Sequence, residues 1–493
     1  MKYSCFSRPV LLYLIFCLVS ACDGQSHANI KNSAARTKAD KIEEILSLYA
    51  EYGGFNGAAL VAHEGEVIYK KGIGFANMEW DIPNQPDTKF QIASLTKSFT
   101  AMLTLQLVAE KKLELYKPIS HYLPDYPKFS GDKITIHHLL THSSGIPNAN
   151  NGVKKFRPNE MVDQFANEPL AFAPGERFGY SNSGYTLLGY LIETITGKSY
   201  AEVLQDKILT PLSMTSTGFY QHRPLIKNMA SGYNKGFGDF FNIDYSDESS
   251  AYAAGGIYST VEDLFVWDQA LYSERLLPGK HLDLIFSKHI PDPEFGGHYG
   301  YGWELIDRKL GNTNSQIATI SHGGSINGYR SSLKRIPSSQ SSIALLSNTS
   351  YAFLNAISTA ILGILYDKPY DFPLKPLALF MSRVVEKEGI DKGILFYQEH
   401  KDSDEYYVSE QELIVAGYRM LHVGKAEEAA KVFKLSIEIF PDRDNPYDSY
   451  AEALMTLGKN EEAIKNYKKS LNLNPNNKNA KRMIEKLLEV EPK

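Results

Sequence analysis

Cysteine is nearly absent. The chain has three among 493 residues, Cys5, Cys17 and Cys22, all near its start. Once a leader carries away the first two, one is left, and no internal disulfide is expected. A surplus of positive charge is missing too: 52 Lys and Arg face 57 Asp and Glu, a net charge of −5 with no basic block. That sets nucleic acid aside as a partner. With 43% hydrophobic and 22% charged residues, the chain is not of the disordered kind, and most of it should fold. Past the N-terminus no apolar run reaches the about 18 residues of a membrane span, so none is expected to cross a bilayer.

The N-terminus itself is distinctive. Lys2 and Arg8 flank a short polar start, and Leu11 to Val19 is apolar but too short to span comfortably, which reads as an export signal. The run ends in Val19-Ser20-Ala21-Cys22, similar to the lipobox cut by bacterial lipoprotein signal peptidase. That resemblance makes Cys22 the expected lipidated first residue, at the periplasmic side of a bacterial membrane. Residues 23–40 carry Ser, Asn, Ala, Lys and Asp without apolar period and read as a flexible tether.

An amphipathic helix is expected from about Asp40 to Tyr49, then a β-hairpin from Ala58–His63 and Val67–Lys70 around Glu64-Gly65-Glu66. Ser94 to Lys111 is apolar on nearly every side, the mark of a buried helix. Further strands are expected at Gln316–Ser321, Tyr329–Arg335 and Ser342–Leu346, and helices at Tyr185–Thr196, Val261–Leu271 and Tyr351–Leu365. Terminal strands with helices between them predict an α+β sheet covered by helices. From 373 to 493 the pattern changes. Gly424 and Gly458, Lys425 and Lys459, Ala429 and Ala463, Phe433 and Tyr467, Ser436 and Ser470, and Pro441 and Pro475 match at one constant offset. The period and the residue types resemble tetratricopeptide repeats. Two repeats bury too little surface alone, so Leu377–His400 should lead as a helix pair and Ala480–Leu488 should cap.

Ser94-Leu95-Thr96-Lys97 is an S-x-x-K motif, which puts a nucleophile and a base on one helical face. Ser130/Lys133 and Ser331/Lys334 repeat the spacing. Only Ser94 opens a long buried helix, where the dipole favours negative charge on its oxygen and burial disfavours an ammonium at Lys97; the others fall in an expected loop and strand. Tyr180-Ser181-Asn182 follows the turn Pro174-Gly175 and precedes a helix beginning near Gly184, so a proton shuttle and a carbonyl-binding amide share one rigid loop. In Ser321-His322-Gly323-Gly324-Ser325, paired glycines beside a strand let a substrate backbone approach a sheet edge, with His322 as a polar or cationic neighbour. His137, His138 and His142 cluster, but Leu139 stands where H-E-x-x-H needs glutamate; neither a metal nor a cofactor is expected.

In this order the three motifs resemble the serine β-lactamase and penicillin-binding-protein superfamily, notably the branch of class C β-lactamases, D,D-peptidases and esterases. FQIASLTKSFT (Phe90–Thr100), HLLTHSSGI (His138–Ile146), PGERFGYSNSGY (Pro174–Tyr185) and AGGIYSTVEDL (Ala254–Leu264) carry the likeness. The likeness covers about 41–370 and implies an α+β domain there, an antiparallel sheet covered by helices with a helical subdomain. It also implies that Ser94 forms an acyl-enzyme, Lys97 and Tyr180 relay its proton, and Asn182 meets the substrate amide. Backbone N–H groups of Ser94 and Ser325 would form the oxyanion hole, beside His322, Gly323 and Gly324. Many members carry lysine where His322 stands. Its replacement by a mostly neutral side chain points from penicillin turnover toward an ester, amide or small-peptide substrate. A different class also fits: a slowly acylating sensor or scaffold whose repeats recruit a protein partner.

Overall fold

The computed structural model describes residues 36–149, 157–235, 240–244 and 251–489. The leader, Cys22 and most of the tether lie outside them. The first helix, α1 (Lys38–Glu51), begins two residues before the expected Asp40. Next come β1 (Gly57–His63) and β2 (Glu66–Ile73), joined by Glu64 and Gly65 at φ 54° and 83°. Two successive positive φ values give a tight hairpin turn whose twist matches that of the strands.

The buried helix is α2 (Thr96–Ala109), and α3 (Asn182–Thr196) and α4 (Val261–Ala270) flank it. The chain then completes the sheet with β3 (Ile290–Pro291), β4 (His298–Tyr299), β5 (Glu304–Lys309), β6 (Gln316–Ile326), β7 (Tyr329–Ile336) and β8 (Ser341–Ser347), followed by α5 (Leu354–Leu365). The 8-stranded order is β3-β4-β5-β6-β7-β8-β1-β2, antiparallel throughout.

Side chains alternate across the pleat, and the two faces feed two cores. Leu60, Leu333, Ala344 and Leu346 join the cluster of α2, α3 and α4, with Phe99 stacked on Trp267 at 4.2 Å. Val61, Ile336, Ile343 and Leu345 pack on α1 and α5. The ladder has a gap: β5 pairs β6 only from Gln316 to Ser321. From His322 to Ile326, β6 has β7 on one side and no strand on the other.

The C-terminal region is all helical, from α6 (Leu377–Glu388) and α7 (Ile390–His400) through α8 (Glu410–His422), α9 (Ala426–Ile439), α10 (Asp444–Thr456) and α11 (Asn460–Leu473) to α12 (Lys478–Glu489). Residues matched by the period occupy equivalent places. Gly424 and Gly458 both take positive φ after a helix, while Ala429 and Ala463, Phe433 and Tyr467, and Ser436 and Ser470 are fully buried. Among the described residues no helix is long and apolar enough to cross a membrane.

Candidate active site

Ser94 lies on a 3-10 turn, Ala93–Leu95, immediately before α2. The sequence placed it at the opening of the α-helix itself. The difference arises at Ala93, whose φ of 47° is left-handed, a conformation costing about 1–2 kcal/mol for a residue with a Cβ. Strain of this kind is held where neighbours over-determine it. Here a Cβ built on Gly324 of β6 would lie 2.2 Å from the Ile92 carbonyl oxygen and 3.0 Å from Ala93 Cβ, so strand and turn are pressed together.

One turn on, the fully buried Lys97 directs its Nζ back to the serine. Nζ is 3.1 Å from Ser94 Oγ, 2.8 Å from Asn182 Oδ1 and 2.8 Å from the Ala254 carbonyl oxygen. Burial holds its pKa well below the usual lysine range. A neutral amine has two N–H donors and one lone pair. The amide and carbonyl oxygens can only accept, so they take both donors and leave the lone pair facing the Ser94 hydroxyl.

Asn182 reaches this place because α3 starts at its own position, not near Gly184. Ser181 is the N-cap, its Oγ accepting the Gly184 N–H at 3.1 Å, a role open to any serine with extended backbone. Tyr180, just before the cap, has its hydroxyl hydrogen-bonded to Ser94 and pushed well above the ordinary tyrosine value by burial, so it stays protonated. Its ring lies 4.9 Å from Lys97 Nζ. Asn148, which motif reading missed, ties this loop together: its Nδ2 donates to the Tyr180 carbonyl at 3.0 Å and its Oδ1 accepts the Asn182 N–H at 2.6 Å. It stands two residues beyond the HLLTHSSGI stretch, and a lone asparagine in a loop carries no signal.

His322 enters the site differently from expectation. It is buried, and desolvation lowers its pKa to about 3, so it offers no cation to a substrate. Its Nδ1 lies 2.6 Å from the Gly323 carbonyl and its Nε2 is 3.0 Å from Tyr299 Oη. Tyr299 is in turn 3.3 Å from Nε2 of His142, whose Nδ1 accepts the Ser181 N–H at 3.0 Å. These partners fix both tautomers. His142 donates from Nε2 to Tyr299, which donates to His322 Nε2, and His322 donates from Nδ1 to Gly323. Every member is neutral, and the His142 ring also packs against Tyr180, tilted by 32° with centroids 4.2 Å apart. The chain therefore links the loop before α3 to β6. Tyr299 and the role of His142 were invisible in sequence because the partners are joined only by tertiary folding.

The remaining histidines of the cluster have organic partners. His137 Nδ1 is 2.9 Å from Tyr301 Oη, and His138 Nδ1 accepts the Thr135 N–H at 3.3 Å. The other S-x-x-K pairs stand apart. Ser130 lies in the short helix Lys128–Gly131, and Ser331, on β7, donates to the Ile92 carbonyl at 2.6 Å while Lys334 projects from the opposite face. Ser94, Tyr180, Asn182 and the stretch His322–Ser325 all line one cavity of about 710 Å³ along the unpaired edge of β6.

Residues 42–365 match the β-lactamase family, about two-thirds of the chain. The chain belongs to that family. A tetratricopeptide repeat, a module type suited to protein interaction, matches residues 446–477. Penicillin-binding protein 4* of Bacillus subtilis is 31% identical over 367 residues, 69% of this chain and 79% of its own length. The octameric penicillin-binding protein homologue of Pyrococcus abyssi aligns with a TM-score of 0.60 at 29% identity, covering 71% of this chain and 81% of the other. The D-amino acid amidase of Ochrobactrum anthropi aligns at 0.60 and 27%, covering 67% and 99%. The β-lactamase-family domain thus has the expected α+β fold, and its relatives include penicillin-binding proteins and an amidase.

Proposed function

We propose that this family member is a serine hydrolase that cleaves an ester, amide or small-peptide bond through an acyl-enzyme on Ser94. The observation that carries this reading is the Lys97 amine, whose two N–H groups are engaged by Asn182 and Ala254 while its lone pair faces Ser94 Oγ. In acylation the Ser94 Oγ–H proton passes to Lys97 Nζ as the Oγ–carbon bond forms, and the carbonyl π electrons move to oxygen. The expelled amine or alkoxide takes its proton from Tyr180, whose phenol is reprotonated from Lys97. Water then attacks the ester by the same route in reverse, giving acid and free Ser94. The backbone N–H groups of Ser94 and Ser325 are assigned to the oxyanion, and Asn182 to the substrate amide as well as to Lys97.

A neutral His322 argues against dependence on a charge at that position, and the likeness to a D-amino acid amidase supports amide and peptide substrates. Ser94→Ala should abolish both turnover and covalent labelling by a fluorophosphonate. Labelling that survives in this variant sinks the assignment. Activity profiling of the wild type against esters, D-amino amides and cephalosporins would define the substrate class.

The Val19-Ser20-Ala21-Cys22 signal supports an exported protein tethered to a bacterial membrane through lipid on Cys22. Cys22→Ala should move the protein from the membrane fraction to the soluble one without changing its specific activity. A mature N-terminus that carries no lipid by mass spectrometry would refute the anchor. The repeats supply the remaining part of this reading, a surface that docks a protein partner near the substrate.

A further inference from the structure

The most exposed aromatic side chain among the described residues serves neither core nor active site. Trp80 is 80% exposed, whereas Trp267 and Trp303 are fully buried. A tryptophan left in water among other apolar side chains marks a contact surface. Its place is fixed by the turn that carries it. Trp80 lies between two short antiparallel strands, Phe75–Asn77 and Ile82–Pro83, and Asn77 Oδ1 accepts its backbone N–H at 2.8 Å. Ala76 is buried, while Phe75 and Ile82 are exposed. A second hairpin, Tyr233–Lys235 with Phe240–Asn242, braces the turn: the Tyr233 hydroxyl accepts the Met78 N–H at 2.8 Å and donates to Glu79, which Asn242 also hydrogen-bonds. This hairpin adds exposed Phe241. Four large apolar side chains thus stand in water on one braced ledge.

We propose that the ledge seats on the lipid bilayer to which Cys22 is tethered, with the Trp80 ring at the level of the headgroups. Tryptophan favours that level because its ring is apolar while its indole N–H still needs a polar partner. The inference rests on the anchor reading, and chain length permits it. From Cys22 to Arg36 the chain can reach about 50 Å at most. Helix α1, only about 20 Å long, then leads to the ledge, where Asn56 Nδ2 donates to the Phe75 carbonyl at 2.8 Å. Lipid and ledge can therefore meet one membrane. Little affinity is needed, because tethering gives the patch an effective concentration of about millimolar, and a surface too weak to hold free protein engages once Cys22 is fixed. The bracing hairpin is also joined to the end of β6: Ser350 Oγ accepts the Gly328 N–H at 3.0 Å and donates to Asn234. Docking would hold the cavity of Ser94 at one angle to the membrane.

The test supplies the anchor chemically and so does not depend on lipidation in the cell. With residues 1–21 removed, Cys22 is the single cysteine, and its thiol is coupled to maleimide-bearing phosphatidylcholine vesicles. Since the other two tryptophans are buried, iodide quenching of the emission reads Trp80. Coupling should lower that quenching about fivefold or more as the ring leaves water, and lipids brominated along their chains should quench the same emission. Trp80→Phe should erase both signals. Ile82→Asp, a change at an exposed site, should restore iodide access with the melting temperature unchanged. Full iodide access on the vesicles, no quenching by brominated lipid, or shielding that survives Ile82→Asp each overturns the docking. Shielding that grows with protein concentration in the absence of vesicles assigns the ledge to a second copy of the chain and overturns it as well. The anchor reading fails separately, on a mature N-terminus without lipid.

Discussion

A lysine in an apolar interior is most stable without its proton, and the neighbours of Lys97 are arranged for that form. The acid limb of kcat/KM should therefore have its midpoint well below the ordinary lysine value of 10.5. Below that midpoint the amine is protonated and cannot accept from Ser94; above it the base is ready. No alkaline limb should appear until beyond the ordinary tyrosine value of 10.0, because burial raises Tyr180. A pH series on an uncharged substrate checks both: an acid-limb midpoint near 10.5 would mean that burial leaves Lys97 unshifted, and activity lost instead as pH rises through that value would mean that Lys97 enters as an ammonium. Lys97→Arg, which cannot lose its proton, should cost about 10²-fold or more in kcat. At this scale Ser94 and Lys97 were legible because their spacing encodes proximity within one turn, and Tyr180 because its motif follows theirs in the order that carries the family resemblance. Asn148 and Tyr299 were not, since what each does depends on a residue brought near only by folding.

The paired glycines of β6 were expected to serve one purpose, approach of a substrate. The structure divides them. A Cβ on Gly324 would meet the Ile92 carbonyl oxygen at 2.2 Å and Ser331 Oγ at 2.4 Å, whereas one on Gly323 meets only the Ser331 carbonyl oxygen, at 3.5 Å. Gly324→Ala must push the strand from the nucleophile turn, and a displacement of about 1 Å can cost 10²-fold in rate. Gly323→Ala should lose less than about tenfold, measured on the same substrate. Equal losses would mean that both act through the substrate alone. Elements were otherwise legible where period and punctuation agree, as in the hairpin of β1 and β2 and in the repeats. Strand β6 ran on to Ile326, past the expected Ser321, because a Gly-Gly pair reads as a break while pairing to β7 continues through it. The start of α3 was displaced by a cap that precedes the apolar period.

At the scale of the molecule, among the described residues the sheet's two cores contain no residue of the repeats, and Leu377 and Met381 are buried in the repeats' own cluster. Across the joint, Phe380 meets Tyr52 edge-on at 6.2 Å and the Tyr351 hydroxyl donates to Glu412 at 3.0 Å. A chain ending at Phe372 should therefore stay folded and active on small substrates, with a Tm within about 4 °C of the hydrolase transition in the full protein. Calorimetry decides this; precipitation of the truncated protein would assign the repeats a covering role.

The open side of β6 has a consequence of another kind. A strand edge left without a partner is a template on which foreign strands, including those of sister molecules, can add. On the proposed reading it has to stay open, since the edge is where the substrate would lie. The charged side chains around it, Glu294, Glu304, Arg308 and Arg330, put both signs of charge in the path of any strand trying to add, which disfavours the flat apolar ribbons that seed aggregates. On that reading, the features that admit a substrate would also act as gatekeepers against self-association.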